Sequence, residues 1–277
     1  MAVLLALASA AVYGVADYCG GRATREASAF AVTAFGQTVS LALLLVILPV
    51  LGDPSPPLAD WVWGAGAGMG GAIGLLAFYH ALSKGSMSVV APTTAVVSVS
   101  IPVAVGLALG ERPGAVALIG IGVAIMAIVL VSGALLGSAI PTPPRITAFA
   151  VLGGLGFGLI FVFFERTSDA SGLWPLVAAR LASSPLVVLA AGVFRQPLGV
   201  GRAWPIALAS GALDMTANVL YLLATRAGLL TIVAVVTALY PVSTVALAFG
   251  LDGERVSRSQ GVGMVLALAA LAMVSLA

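Results

Sequence analysis

Charge is what this sequence has least of: 8% of its 277 residues are Asp, Glu, Lys or Arg, where soluble domains usually carry about 25%. A globule in water could not cover itself with so few, which excludes a soluble fold. The single cysteine, Cys19, rules out an intrachain disulfide. One histidine, His80, and one lysine, Lys84, complete the short supply. Neither a cysteine–histidine cluster nor an HExxH pair can be written from them, so no metal and no cofactor is expected. No serine has a histidine plausibly beside it for nucleophilic catalysis. A GxxxxGK[ST] loop is missing as well, since Lys84 stands in LSKGS. ATP is therefore not held by that route, no ATPase subunit is implied, and uphill movement of a cargo must run on an ion gradient or on exchange. A formal net charge of +2, scattered along the chain, gives nucleic acid nothing to bind.

What fills the sequence instead is apolar: 61% of residues are hydrophobic. They fall into runs of about 18 residues or more, the length a helix needs to cross a bilayer. The expected spans are Ala2–Gly20, Phe30–Leu51, Trp61–Leu82, Met87–Leu109 and Pro113–Val131, then Ile146–Phe164, Leu173–Phe194, Trp204–Thr225, Leu229–Gly250 and Ser259–Leu276. In lipid the backbone must satisfy itself, so the expected fold is an all-α integral membrane protein of ten transmembrane helices. A barrel would need alternating polar positions that are missing. The first run has no basic residues before it and nine similar runs after it, so it reads as a retained span and not as a cleaved signal. Trp61, Trp63, Trp174 and Trp204 all fall at expected helix starts, where an indole suits the lipid–headgroup boundary.

The ten spans are two copies of five. FYHALSKGSMSVVAPTTAVVSVSIPVAVGLALGER in the first half is answered by LYLLATRAGLLTIVAVVTALYPVSTVALAFGLDGER in the second. Tyr79 matches Tyr221, Lys84 matches Arg226, and Glu111-Arg112 matches Glu254-Arg255 with a one-residue slip; VYGVADYCGG and GFGLIFVFFER match more faintly. Five is odd, so the second copy enters the membrane from the opposite side, giving two inverted five-helix repeats. Inverted repeats are the common plan of secondary transporters that alternate access to a site near the midplane. Each Glu-Arg pair is either a gate latch or a solvated helix end.

With its ALSKG and ATRAG links, its proline-bearing fourth and ninth helices and its closing GER, the whole chain resembles the drug/metabolite transporter superfamily, and each repeat resembles its EamA domain. The expected domains are residues 1–137 and 145–277. One departure is visible: Pro241 lies thirteen residues before Glu254, whereas Ser98 stands thirteen before Glu111, flanked by Pro92 and Pro102. The kink of the fourth helix is therefore expected to be displaced.

Basic residues orient membrane proteins. One set of links holds Arg22, Arg25, Lys84, Arg145, Arg195, Arg202, Arg255 and Arg258; the other holds Arg112, Arg166 and Arg226. Charge alone places the first set in the cytoplasm and both termini outside, while the resemblance implies both termini in the cytoplasm.

Ionisable groups deep in a span cost roughly 2.5–3.5 kcal/mol to insert, so each is a candidate for function. Asp214, Asn218 and Tyr221 are spaced i, i+4, i+7 and share one face of helix 8. Arg180 in helix 7 is the expected partner of Asp214. A guanidinium stays charged, so it is either locked in a static pair or available to a substrate carboxylate or phosphate. Gln37 takes roughly the place of Arg180 in the first copy, and Tyr79 that of Tyr221. Tyr240, before Pro241, has the setting in which a freed carbonyl can meet a ligand. Asp17, near the end of helix 1 within reach of Arg22 or solvent, and His80 join Asp214 as proton-coupling candidates. The glycines of WVWGAGAGMGGAIG and LGGLGFG read as close-packing surfaces on helices 3 and 6.

These features point to a secondary active transporter that exports a small polar or amphipathic metabolite across the plasma membrane by alternating access, driven by protons or exchange. The competing readings are an intramembrane enzyme built on Asp17, His80 and Asp214, and a passive channel. Amino acids, sugars, nucleotide-linked sugars and drugs all remain open as cargo.

Overall fold

The computed structural model describes residues 1–52, 54–85, 87–131, 143–252 and 257–275, and among these every regular element is helical. The first repeat supplies α1 (Ala2–Ala23), α2 (Ala29–Leu51), α3 (Leu58–Lys84), α4 (Met87–Ala108) and α5 (Ala115–Val131). The second supplies α6 (Pro144–Glu165), α7 (Trp174–Val193), α8 (Trp204–Thr225), α9 (Leu230–Thr237), α10 (Pro241–Asp252) and α11 (Arg258–Ser275). Among the described residues eight spans, with α9 and α10 counted together, are long and apolar enough to cross a membrane, and α5 carries a shorter apolar stretch.

Local chemistry sets the ends. Ser28 accepts the Ala31 N–H and so caps α2, which closes on Gly52 in the left-handed region. Prolines 144, 175 and 205 open α6, α7 and α8, where a missing N–H removes nothing from the helix. The ninth span, expected as one helix, is two. Pro241 has no N–H to give, so the ladder stops at Thr237 and restarts at Pro241. Its counterpart α4 runs unbroken through Pro102, and Ser98 Oγ there donates to the Ala95 carbonyl.

The most extensive helix pairings all join one repeat to the other: α3 lies on α6, α1 on α8, and α5 on α11. The first two are counterparts under exchange of the repeats, and the third is its own counterpart, so a pseudo-two-fold axis relates the halves. Residue contacts give the directions. Gly70 meets Gly156 and Gly74 meets Gly153, so α3 and α6 run antiparallel. Ser9 bonds the Ala217 carbonyl and Ser210 the Ala16 carbonyl, so α1 and α8 do too. Gly64 meets Pro175 and Gly68 meets Ala179, so α3 and α7 run parallel. With α1 and α3 alike in direction, α6 starts where α1 ends. The repeats are inverted.

Glycine makes these approaches possible. A Cβ on Gly156 would stand 2.6 Å from the Gly74 Cα, and one on Gly68 would run into the Ala179 carbonyl. Backbone contact at this range supplies dispersion and carbonyl contacts where lipid offers no hydrophobic drive between helices. The glycine-rich stretch of α3 serves two partners: Gly64 and Gly68 face α7, while Gly66, Gly70 and Gly74 face α6.

Candidate functional site

Seven spans converge on a narrow central cavity of about 40 Å³, room for roughly three waters at ~10–15 Å³ each. Its charged and amide walls are Asp17 from α1, Gln37 from α2, Arg180 from α7, and Asp214 and Asn218 from α8. Tyr13 and Tyr240 add phenol rings, and Gly71, Leu75, Phe157, Ile160 and Phe161 complete the lining from α3 and α6.

The expected pair is present: Arg180 Nη2 donates to Asp214 Oδ2 at 2.6 Å. Their side chains are 7% and 21% exposed, so the ions hold each other away from bulk water, where charge pairing is least screened. The guanidinium is not used up, because its buried Nε has no hydrogen-bond partner. Asn218 Nδ2 donates to the Asp214 carbonyl at 2.8 Å, the i to i+4 contact its spacing implies. Gln37 Oε1 accepts from Ser183 Oγ at 2.9 Å, which ties α2 to α7 one turn from Arg180.

Asp17 departs from its expected setting. It is buried and lines the cavity, neither in solvent nor on Arg22, which pairs with Asp252 at the foot of α10, where Arg25 also arrives at 3.4 Å. Asp252 was not singled out in the sequence, and it competes successfully because it reaches the end of α1 only in the folded chain. Tyr13 was missed as well, although its place four residues before Asp17 puts it on the same face of α1.

Other expected contacts lie elsewhere. Tyr221 is fully buried outside the cavity, its ring stacked on Phe161 at 4.6 Å and its hydroxyl given to the Phe161 carbonyl. Tyr79 bonds Ser210 Oγ at 3.0 Å behind the cavity wall. The i+7 spacing kept Tyr221 on the face of Asp214, but helical rotation of ~20° per heptad and the neighbouring α6 turn it into a packing contact. Tyr240 does reach the cavity; its carbonyl accepts from Ser243 Oγ and Thr244 Oγ1, and the Thr237 carbonyl that Pro241 leaves without its helical donor accepts the Tyr240 N–H. His80 is remote from Asp17 and Asp214. Its ring packs, tilted, on Phe149 at 4.6 Å in a separate opening, so Asp17, His80 and Asp214 do not share one site.

The two ends of the bundle differ. At the end holding Met1, Glu111 accepts from the backbone N–H groups of Leu230 and Thr231, and Asp60 takes hydrogen bonds from Ser168 and Ser171. Arg226 adds a bond to the Gly172 carbonyl at 2.7 Å. Arg112 only wraps back on its own helix end, and Glu254-Arg255 lie outside the described residues. The opposite end, where Arg22 lies, opens into a vestibule of about 1020 Å³. Along α2, α3 and α7 an apolar layer, Ala34, Ala72 and Val187 with Leu76 and Leu186, falls between the cavity residues Gln37, Gly71 and Arg180 and the vestibule residues Phe30, Ala77 and Ala190. Topology also gathers Arg22, Arg25, Lys84, Arg145, Arg195, Arg202 and Arg258 at the Arg22 end.

The pattern of the EamA-like transporter family matches this chain twice, over residues 1–133 and 145–276. A comparison with curated proteins gave no match. One solved crystal structure, titled only as that of a protein, superposes with a TM-score of 0.75 over 99% of this chain and 96% of its own, at 19% identity. At that identity the likeness speaks for the fold alone.

Proposed function

Since the chain belongs to the EamA-like transporter family, and is thus a multi-pass membrane transporter, we propose that it exports a small polar or amphipathic metabolite across the plasma membrane by alternating access. The observation that carries this reading is the asymmetry around the central cavity. Both repeats line it, two carboxylates of the first repeat, Glu111 and Asp60, hold hydrogen-bond donors of the second at its Met1 side, and a single apolar layer separates it from a wide vestibule on the other. Two pseudo-symmetric halves can exchange these roles by rocking, which is how inverted repeats expose one site to two sides.

In this reading Arg180, Asp214, Asn218 and Gln37 contact the substrate, with Tyr240 and Tyr13 closing over it. A substrate acceptor group reaching the free Nε of Arg180 would compete with Asp214 for the guanidinium. Asp17 faces the same space with no hydrogen bond from another residue among those described, and a carboxyl so placed can exchange a proton with the cavity. Asp17 and Asp214 are therefore the proposed coupling groups. The basic Arg22 end faces the cytoplasm on the charge rule, so the vestibule is the loading side.

The test is a metabolite transport screen in proteoliposomes with an imposed pH gradient, comparing the native protein with Arg180→Gln and Asp214→Asn. Saturable transport that both variants abolish supports the assignment. Normal transport by both variants would remove the central cavity from the mechanism, and flux that never saturates would favour a passive channel.

A further inference from the structure

The vestibule at the Arg22 end has a chemistry of its own. Arg25, Lys84 and Arg145 line it, and among the described residues no Asp or Glu does. Arg25 is partly engaged by Asp252, but Lys84 and Arg145 are exposed and have no ion pair among the described residues. Lys84 at the C-terminus of α3 complements the helix dipole and needs no other explanation. Arg145 is different: it stands in the first turn of α6, where the dipole is already positive and a cation is disfavoured. The start of α2, capped by Ser28, opens onto the same space. Three cations and two positive helix ends within one concave, low-dielectric wall raise the local concentration of anions.

The rest of the wall is apolar and aromatic. Phe149, packed on His80, Phe30, packed on Phe194 at 5.9 Å, and the aliphatic Leu76 and Leu186 line it. Its volume suits a ligand of ordinary metabolite size.

We propose that this vestibule is a binding site for an amphipathic anion, a carboxylate or phosphate on an aromatic or branched apolar body, held by Lys84 and Arg145 and seated against Phe149 and Phe194. The site is separate from the central cavity, from which the layer of Ala34, Ala72 and Val187 divides it, and it does not rest on the export reading.

The probe is dansylglycine, a fluorescent carboxylate, with uncharged dansylamide and cationic dansylcadaverine as comparisons, titrated into the full-length protein in neutral detergent. Dansylglycine is expected to bind saturably, with emission shifted to the blue, more tightly than either comparison and more weakly as salt rises. The double variant Lys84→Gln, Arg145→Gln is expected to weaken binding about tenfold, while the charge-preserving Lys84→Arg, Arg145→Lys retains it. Arg180→Gln combined with Asp214→Asn, which leaves no uncompensated ion in the central cavity, should leave this binding intact, so a failure of the central-cavity reading in transport is distinguishable from a failure here. Equal binding of dansylcadaverine, native affinity in the double glutamine variant, or loss of binding in the folded Arg180→Gln, Asp214→Asn protein would each overturn the proposal. So would displacement of the dye by equimolar phosphatidylglycerol, which would assign the vestibule to a lipid headgroup.

Discussion

Glu111 of the first repeat caps a helix of the second: its two carboxylate oxygens take the backbone N–H groups of Leu230 and Thr231 at 2.7 and 2.9 Å. Those donors belong to the first turn of α9 and have no partner within the helix, and the carboxylate also meets the positive end of its dipole. The acidic residue that ends a long apolar run in GLALGERPG is therefore a fastening between the halves.

Removing that fastening should be measurable. Glu111→Ala is expected to lower stability by about 0.5–2 kcal/mol, the range for a lost N-terminal cap, while Arg112→Ala, whose side chain reaches only carbonyls of its own turn, should be close to neutral. Thermal unfolding in detergent compares the two, and equal effects would deny Glu111 its capping role.

The Arg180–Asp214 pair permits a test that separates structure from transport. Breaking a buried pair leaves an uncompensated ion, at a cost of about 3–5 kcal/mol, so Arg180→Gln and Asp214→Asn should each destabilise the protein. Combining them removes both charges and should recover much of the loss. Transport should not recover with it. If the double variant regains both stability and transport, the pair is a brace and nothing more.

Asp17 is buried in the cavity wall without a cationic partner on its own helix. Asp17→Asn preserves shape and removes the titratable group, so the variant is expected to fold normally and to lose the response of transport to an imposed pH gradient. Counterflow exchange in the absence of a gradient checks that substrate binding survives. A variant with native pH dependence would transfer the coupling role away from Asp17.

Glycine packing gives a contrast within one substitution type. Gly156→Ala would press a methyl group against the Gly74 backbone and is expected to destabilise by about 1–3 kcal/mol, as overpacking does. Gly122 has nothing within 4 Å of a built Cβ, and Gly122→Ala should be tolerated. Detergent melting temperatures of the two proteins decide it.

Inversion and orientation can be read by cysteine labelling on a Cys19→Ser background. Glu26→Cys and Gly199→Cys lie at the Arg22 end, whereas Gly114→Cys and Ala170→Cys lie at the Met1 end. An impermeant thiol reagent applied to intact cells should label the second pair and spare the first, if the basic end is cytoplasmic. The opposite pattern would reverse the orientation and with it the loading side; mixed labelling within a pair would contradict the inverted topology itself.

The scarcity of charge and the length of the apolar runs were enough to determine a helical membrane fold and its division into two copies, because the requirement that lipid-buried backbone satisfy itself acts locally along the chain. The same scarcity made Arg180 and Asp214 legible as partners, since an ion within a span has few alternatives. Local spacing could not decide what lay between helices. Tyr221 shares a helical face with Asp214 yet packs on Phe161, and His80 opens on the vestibule instead of the cavity. Arg22 passed over nearby Asp17 for Asp252, 230 residues away, leaving Asp17 to face the central space. Those outcomes depend on which helices the pseudo-two-fold axis brings together, and on the few tenths of an ångström by which glycines let backbones approach. Both are properties of the assembled bundle, and no window of sequence contains them.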